Sequence, residues 1–85
     1  MEDIVIVSAA RTGVGKFGGS LAKVPATELG SIAIKAALER AKVGLDQVGE
    51  VIMGQVLAAG VGQNPARQSV LKSGLQQSTP GLTIN

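Results

Sequence analysis

The apolar residues of this chain form three short runs, which two stretches with helical spacing separate. The first run, residues 4–10, is unbroken and rich in β-branched side chains, as a strand covered on both faces requires. Residues 51–57 form a second run of the same kind, and a third begins at Gly81 and continues to Asn85. These runs predict three strands, of which the first two are buried and the first is parallel to its neighbours.

Residues 26–43 predict a long helix with one narrow polar stripe, because their polar residues recur at steps of three and four. The stripe consists of Glu28, Ser31, Lys35, Glu39 and Lys42. The rest of the surface is mostly small or aliphatic, a wider apolar arc than a helix on one small sheet needs. Pro25 suits the helix start and Gly44 supplies a positive φ for its end. Residues 11–25, with four glycines, read as a loop.

A second helix is predicted over residues 66–73. Asn64 can cap free N–H groups, and Pro65 is typical of the first helical position. Gly74 is expected to stop the helix.

The order of elements indicates an α/β fold, in which strands and helices alternate as strand, helix, strand, helix, strand. Three short strands do not complete such a sheet. A chain of 85 residues with one aromatic ring, Phe17, and no Cys also has no disulfide to stabilise it. We therefore expect residues 1–85 to be the N-terminal segment of a larger layered α/β domain.

Composition excludes several kinds of chemistry. The absence of Cys and His rules out thiolate nucleophiles, imidazole bases and most zinc sites within these 85 residues. The net charge is only +2, with scattered basic residues and one aromatic ring, so no nucleic-acid partner is expected. No apolar stretch is long enough for a membrane span. Acidic Glu2 and Asp3, where a presequence would be basic, favour a cytoplasmic protein.

Two phosphate-binding patterns overlap in the first loop, and we disfavour both. Residues 13–18 satisfy G-x-G-x-x-G after a strand, but no helix opens inside the motif as dinucleotide binding requires. Residues 10–16 resemble a P-loop, yet Phe17 stands where a hydroxyl must hold Mg²⁺. The glycines more simply let the loop turn, with Arg11 and Lys16 as its anchors.

The polar loop over residues 60–68 has two interpretations. In the simpler one, Asn64 caps the following helix, while Gln63 and Arg67 lie at the surface. In the functional one, Gln63 or Asn64 directs its amide toward a buried polar site.

Four stretches of the chain resemble the amino terminus of the thiolase family, and most of all its biosynthetic members. They are IVIVSAART at residues 4–12, VGKFGG at 14–19, EVIMGQVL at 50–57 and GQNPARQ at 62–68. The resemblance extends over residues 1–85 in unbroken register.

The resemblance implies a ping-pong acyl transfer through a cysteine thiolate. Two acetyl-CoA molecules would give acetoacetyl-CoA and CoA, or the reverse, with no cofactor or metal because the CoA thioester is itself the substrate. A homodimer or homotetramer is implied, as is a nucleophilic cysteine a few residues beyond Asn85. The second cysteine and the histidine would also lie outside this chain.

In this interpretation the chain supplies scaffold and needs the remainder of the polypeptide, or a complementary chain, for activity. No residue in it is a catalytic candidate. The resemblance makes Gln63 the best candidate for an amide that orients a catalytic water or the cysteine loop, with Asn64 and Arg67 as helix cap and loop anchor. The alternative is a binding or assembly module that keeps the fold and has lost the chemistry. A nucleotide-binding domain is a weaker third possibility.

Overall fold

A computed structural model describes residues 3–85, so the N-terminal Met1 and Glu2 of the acidic terminus lie outside the described residues. The elements in chain order are helix α1 (Ala26–Ala41), a short 3₁₀ helix (Leu45–Gln47), strand β1 (Val51–Gly54), helix α2 (Pro65–Lys72) and strand β2 (Gly81–Ile84). Both predicted helices and the second and third predicted strands are therefore confirmed as elements, with the second strand three residues shorter than expected. The prediction that the second strand is buried is wrong for one of its faces, where Ile52 is 55% exposed.

The two strands pair in parallel, with Val51 opposite Gly81 and Gly54 opposite Ile84. Helix α2 connects them and packs against both, and α1 packs against α2. This is a strand–helix–strand unit with a second helix layered outside it, which confirms the α/β class.

A small aliphatic core lies between the sheet and the helices. Its buried residues are Val51, Val70 and Leu75, and four partly buried residues complete it: Ile34, Leu38, Val48 and Met53. Alternation along the strands places Ile52, Leu82 and Ile84 on the opposite face, where each is about half exposed, at 55%, 48% and 49%. The sheet therefore has one covered and one open apolar face within the described residues.

Residues 4–10 do not form the predicted strand, and their apolar side chains are not buried. Ile4 and Ile6 are 100% and 91% exposed. A strand needs a hydrogen-bonded neighbour, and the sheet of the described residues consists of β1 and β2 alone. The segment is instead attached to α1, through a hydrogen bond of 2.8 Å from Arg40 Nη1 to the carbonyl of Ala9.

Helix α1 ends differently from the prediction. Lys42, rather than Gly44, takes the left-handed conformation, with φ of 58°. The N–H of Lys42 donates to the carbonyl of Glu39, and that of Val43 donates to the carbonyl of Leu38. Gly44 has φ of −71° and precedes the 3₁₀ helix. The chain thus turns two residues earlier than expected, and a lysine takes the place predicted for glycine.

Ser31 is buried, although the pattern placed it on the exposed polar stripe. Its hydroxyl donates to the carbonyl of Glu28 at 2.7 Å, so it needs no contact with water. The neighbouring Gly30 explains the location, because a Cβ there would lie 2.7 Å from Ser69 Oγ of α2. The two helices therefore approach each other closely at Gly30.

Candidate functional site

The carboxyl end of the small sheet is the candidate site. Beyond β1 the chain continues through residues 55–64, and the N–H of Gln55 donates to the carbonyl of Ile84 at 2.7 Å. The end of β2 and the loop that leads to α2 therefore meet at one edge. In parallel α/β sheets, ligands bind outside the carboxyl ends of the strands.

The first turn of α2 lies against β2, and Asn64 is its N-cap as predicted. The Asn64 side chain accepts a hydrogen bond from the N–H of Arg67 at 3.2 Å. Its Nδ2 donates to the carbonyl of Gly81 in β2 at 3.1 Å. The Asn64 side chain thus provides an acceptor for a free N–H at the start of α2 and links the helix to β2.

Thr83 of β2 supplies a second cap for the same helix. Its hydroxyl oxygen accepts from the N–H of Ala66 at 3.0 Å and donates to Asn64 Oδ1 at 2.7 Å. Pro65 has no N–H, so Asn64 and Thr83 together satisfy the first-turn donors of α2. Thr83 was not predicted from the sequence, because its only local signal is a polar residue at an inward position of a strand.

Arg67 anchors the segment that enters β2. Its Nη1 donates to the carbonyl of Thr79 at 2.8 Å, and Nη2 donates to that of Gln77 at 2.7 Å. Both terminal nitrogens of the guanidinium are therefore used within the fold. This geometry agrees with the predicted role of Arg67 as a loop anchor.

Gln63 lies in the loop, directly before the N-cap Asn64, and is exposed. Gln68 holds this part of the loop, since its Nε2 donates to the carbonyls of Val61 at 2.7 Å and Gln63 at 3.0 Å. Gly62 permits that contact, because it has φ of 83° and a Cβ there would lie 2.9 Å from Gln68 Nε2. The Gln63 backbone is thus fixed on α2, with its side chain at the surface.

The contacts between α2 and β2 can position groups, and their side chains are amides, a hydroxyl and one guanidinium. Residues 3–85 contain no cluster of His, Cys, Asp or Glu that could hold a metal ion. The 85 residues contain no Cys and no His, so they supply neither a thiolate nor an imidazole to this edge.

The glycine-rich first loop does not form a phosphate cradle. Helix α1 begins at Ala26, well beyond Gly18, and turns occupy the residues between them. Phe17 is fully exposed. The helix N-terminus that would face a pyrophosphate is therefore not part of the G-x-G-x-x-G motif.

The longest helix of the described part, α1, has 16 residues and is too short to cross a bilayer, which takes about 20.

The described residues form one strand–helix–strand unit of a parallel α/β fold, with a further helix packed on it. The chain matches the thiolase N-terminal domain over residues 4–85 and belongs to the thiolase family. This confirms the resemblance found in the sequence.

Curated relatives of the chain are acetyl-CoA acetyltransferases. The protein of that name from Cupriavidus necator is 71% identical over 85 residues, which are all of this chain and 22% of the relative. The Escherichia coli K12 acetyl-CoA acetyltransferase is 59% identical over the same length, also 22% of that protein. The mitochondrial acetyl-CoA acetyltransferase of Xenopus tropicalis is 60% identical and is covered to 20%. The chain thus spans about a fifth of the length of these relatives.

Proposed function

We propose that residues 1–85 form the N-terminal scaffold of an acetyl-CoA C-acetyltransferase. The observation that carries this proposal is the 71% identity to the Cupriavidus necator acetyl-CoA acetyltransferase along the whole chain. The structure supports it, because α2, the capping network and β2 form a braced edge suited to present a reactive group supplied by the remainder of the protein.

The proposed reaction has two acyl transfers. A cysteine thiolate of the remainder attacks acetyl-CoA, the acetyl group moves to sulfur, and CoA leaves as its thiol after protonation. A base then removes a proton from the α-carbon of a second acetyl-CoA. The resulting carbanion attacks the acetyl-cysteine, forms the carbon–carbon bond of acetoacetyl-CoA and releases the thiolate. Oxyanion holes stabilise the charge that develops on each carbonyl oxygen.

Within this reaction the chain contributes geometry. Asn64, Thr83 and Arg67 fix β2 and the start of α2, and Gln63 directs its amide toward a catalytic water or the cysteine loop. No metal or further cofactor takes part, because CoA carries the acyl group as a thioester. We further propose a cytoplasmic homodimer or homotetramer as the working form.

A chimera tests the proposal. In it, residues 1–85 of this chain replace the matching segment of the Cupriavidus necator relative, and the CoA-dependent cleavage of acetoacetyl-CoA is followed by loss of its absorbance. We expect turnover within about tenfold of the unmodified relative, a change of about 1.4 kcal/mol in transition-state free energy. The isolated chain, as control, is expected to be inactive.

A folded but inactive chimera would contradict the proposal and favour the alternative, a binding or assembly module that has lost the chemistry. Gln63→Ala in the chimera separately tests the amide. We expect it to lower turnover without loss of folding, and unchanged turnover would remove that role.

A further inference from the structure

We propose that Thr83 is a positioning residue, whose hydroxyl sets the end of β2 against the first turn of α2 and thereby aligns the acyl-transfer site. This inference rests on the proposed function and adds a residue that neither the helix signals nor the family resemblance identified.

The position of Thr83 on the strand gives the first argument. Thr83 and Gly81 are the partly buried residues of β2, whereas Leu82 and Ile84 are exposed on the open face. An inward position on a small sheet normally takes an apolar residue, because a polar group there must find a partner. The hydroxyl of Thr83 has two partners, both in the first turn of α2 or its cap.

The completeness of this pairing gives the second argument. Ala66 is fully buried, so its N–H cannot be satisfied by water. Asn64 uses its side-chain oxygen for Arg67 and for the Thr83 hydroxyl, and its nitrogen for the Gly81 carbonyl. Each part of the network therefore constrains another, and the Thr83 hydroxyl is the only strand group that both donates and accepts in it.

The network fixes the strand along its own axis. Backbone hydrogen bonds pair β2 with β1 within the sheet. The hydrogen bond between Thr83 and the N–H of Ala66 opposes a shift of β2 relative to the N-terminus of α2. The same helix start carries the loop with Gln63, which Gln68 holds in place. The Thr83 hydroxyl thus acts together with the Asn64–Gly81 hydrogen bond to align the loop with β2.

The test compares three variants of the active chimera. Thr83→Val keeps the shape and the branched Cβ but removes the hydroxyl, and Thr83→Ser keeps the hydroxyl. Thr12→Val is the matched control, because the hydroxyl of Thr12 bonds only to the carbonyl of the next residue, at 3.3 Å, among the described residues.

We expect Thr83→Val to lower kcat by about tenfold to a hundredfold with KM changed less than about threefold, since misplacement of a reacting group slows chemistry more than binding. Thr83→Ser should recover most of kcat, and Thr12→Val should match the parent. Iodoacetamide alkylates the catalytic thiolate, and substrate protects that thiolate from the reagent. The rate of this alkylation should fall together with kcat in Thr83→Val, because both depend on the same thiolate.

Each outcome has one meaning. The kcat of Thr83→Val is expressed per folded molecule, so that a loss of folded protein is not counted as a loss of chemistry. If this kcat equals that of the parent chimera, the positioning role is rejected while the proposed function stands. An inactive parent chimera rejects both.

If Thr83→Val does not fold, Thr83→Ala is compared with Thr83→Ser. Serine still accepts from the N–H of Ala66 and donates to Asn64 Oδ1, whereas alanine does neither. A fall in kcat with KM retained in Thr83→Ala alone supports the inference, and equal kcat in the two variants rejects it.

Discussion

At the scale of single residues, the sequence predicted the Asn64 cap at the start of α2 but not the contribution of Thr83. Asn64 and Pro65 are adjacent in sequence and signal a helix start by themselves. Thr83 satisfies the N–H of Ala66 from 17 positions away, a pairing that exists only after β2 has docked on the helix. Local sequence patterns carry no information about such a distant contact, and for that reason the bond between Ala66 and Thr83 was not predicted. The Gln63 role stays a prediction.

Removal of the Asn64 side chain should destabilise the chimera by about 1–2 kcal/mol, the upper range for loss of a helix cap, because the links to Thr83 and Gly81 are lost with it. Urea unfolding would measure this change for Asn64→Ala. The adjacent Gln63→Ala, at an exposed side chain, should stay within about 0.5 kcal/mol of the parent. Equal losses for the two variants would contradict the capping role.

At the scale of elements, the two helices and the paired strands follow from periodicity and from the Gly and Pro signals, whereas the first strand does not. Residues 4–10 have the composition of a buried strand, but composition cannot provide the neighbouring strand that completes its hydrogen bonds. The end of α1 was misplaced for another reason. Lys42 itself has a positive φ. Glycine adopts this conformation more readily, but other residues also adopt it at the ends of helices.

Close approach of α2 to β2 predicts an intolerant glycine. A Cβ on Gly81 would lie 3.1 Å from the backbone N of Arg67 and 3.2 Å from Ala66 C, and neither atom can swing aside as a side chain does. Gly81→Ala should therefore destabilise the chimera by about 1–3 kcal/mol.

Gly54 offers the matched comparison, because it lies at the end of the neighbouring strand and a Cβ there would meet nothing within 4 Å. Gly54→Ala should change the unfolding free energy by less than about 0.5 kcal/mol. Thermal melts of the two variants side by side would decide the matter, and similar midpoints would refute the packing argument.

At the scale of the whole molecule, these residues leave much apolar surface uncovered. Phe17, Ile6 and Leu57 are more than three-quarters exposed. The Cα radius of gyration is 13.6 Å, against about 12 Å for a compact domain of this length. The sequence predicted this incompleteness correctly from the wide apolar arc of α1 and the few strands, since both are properties of composition and spacing.

The isolated 85 residues should therefore melt gradually and bind the dye ANS, because the small core cannot support a cooperative transition. The chimera should melt sharply with little dye binding. Calorimetry and fluorescence on both proteins would check this. A sharp, concentration-independent melt of the isolated monomer would show that the segment folds alone.

The parallel pairing of β1 with β2 also has a consequence for synthesis on the ribosome. Val51 pairs with Gly81, 30 positions later, so β1 emerges from the exit tunnel well before its partner. At about 5–20 residues per second, the delay is about 2–6 s. During that interval a nascent chain carries an aliphatic strand with both edges bare, and it is in this window that a chaperone has a substrate to hold.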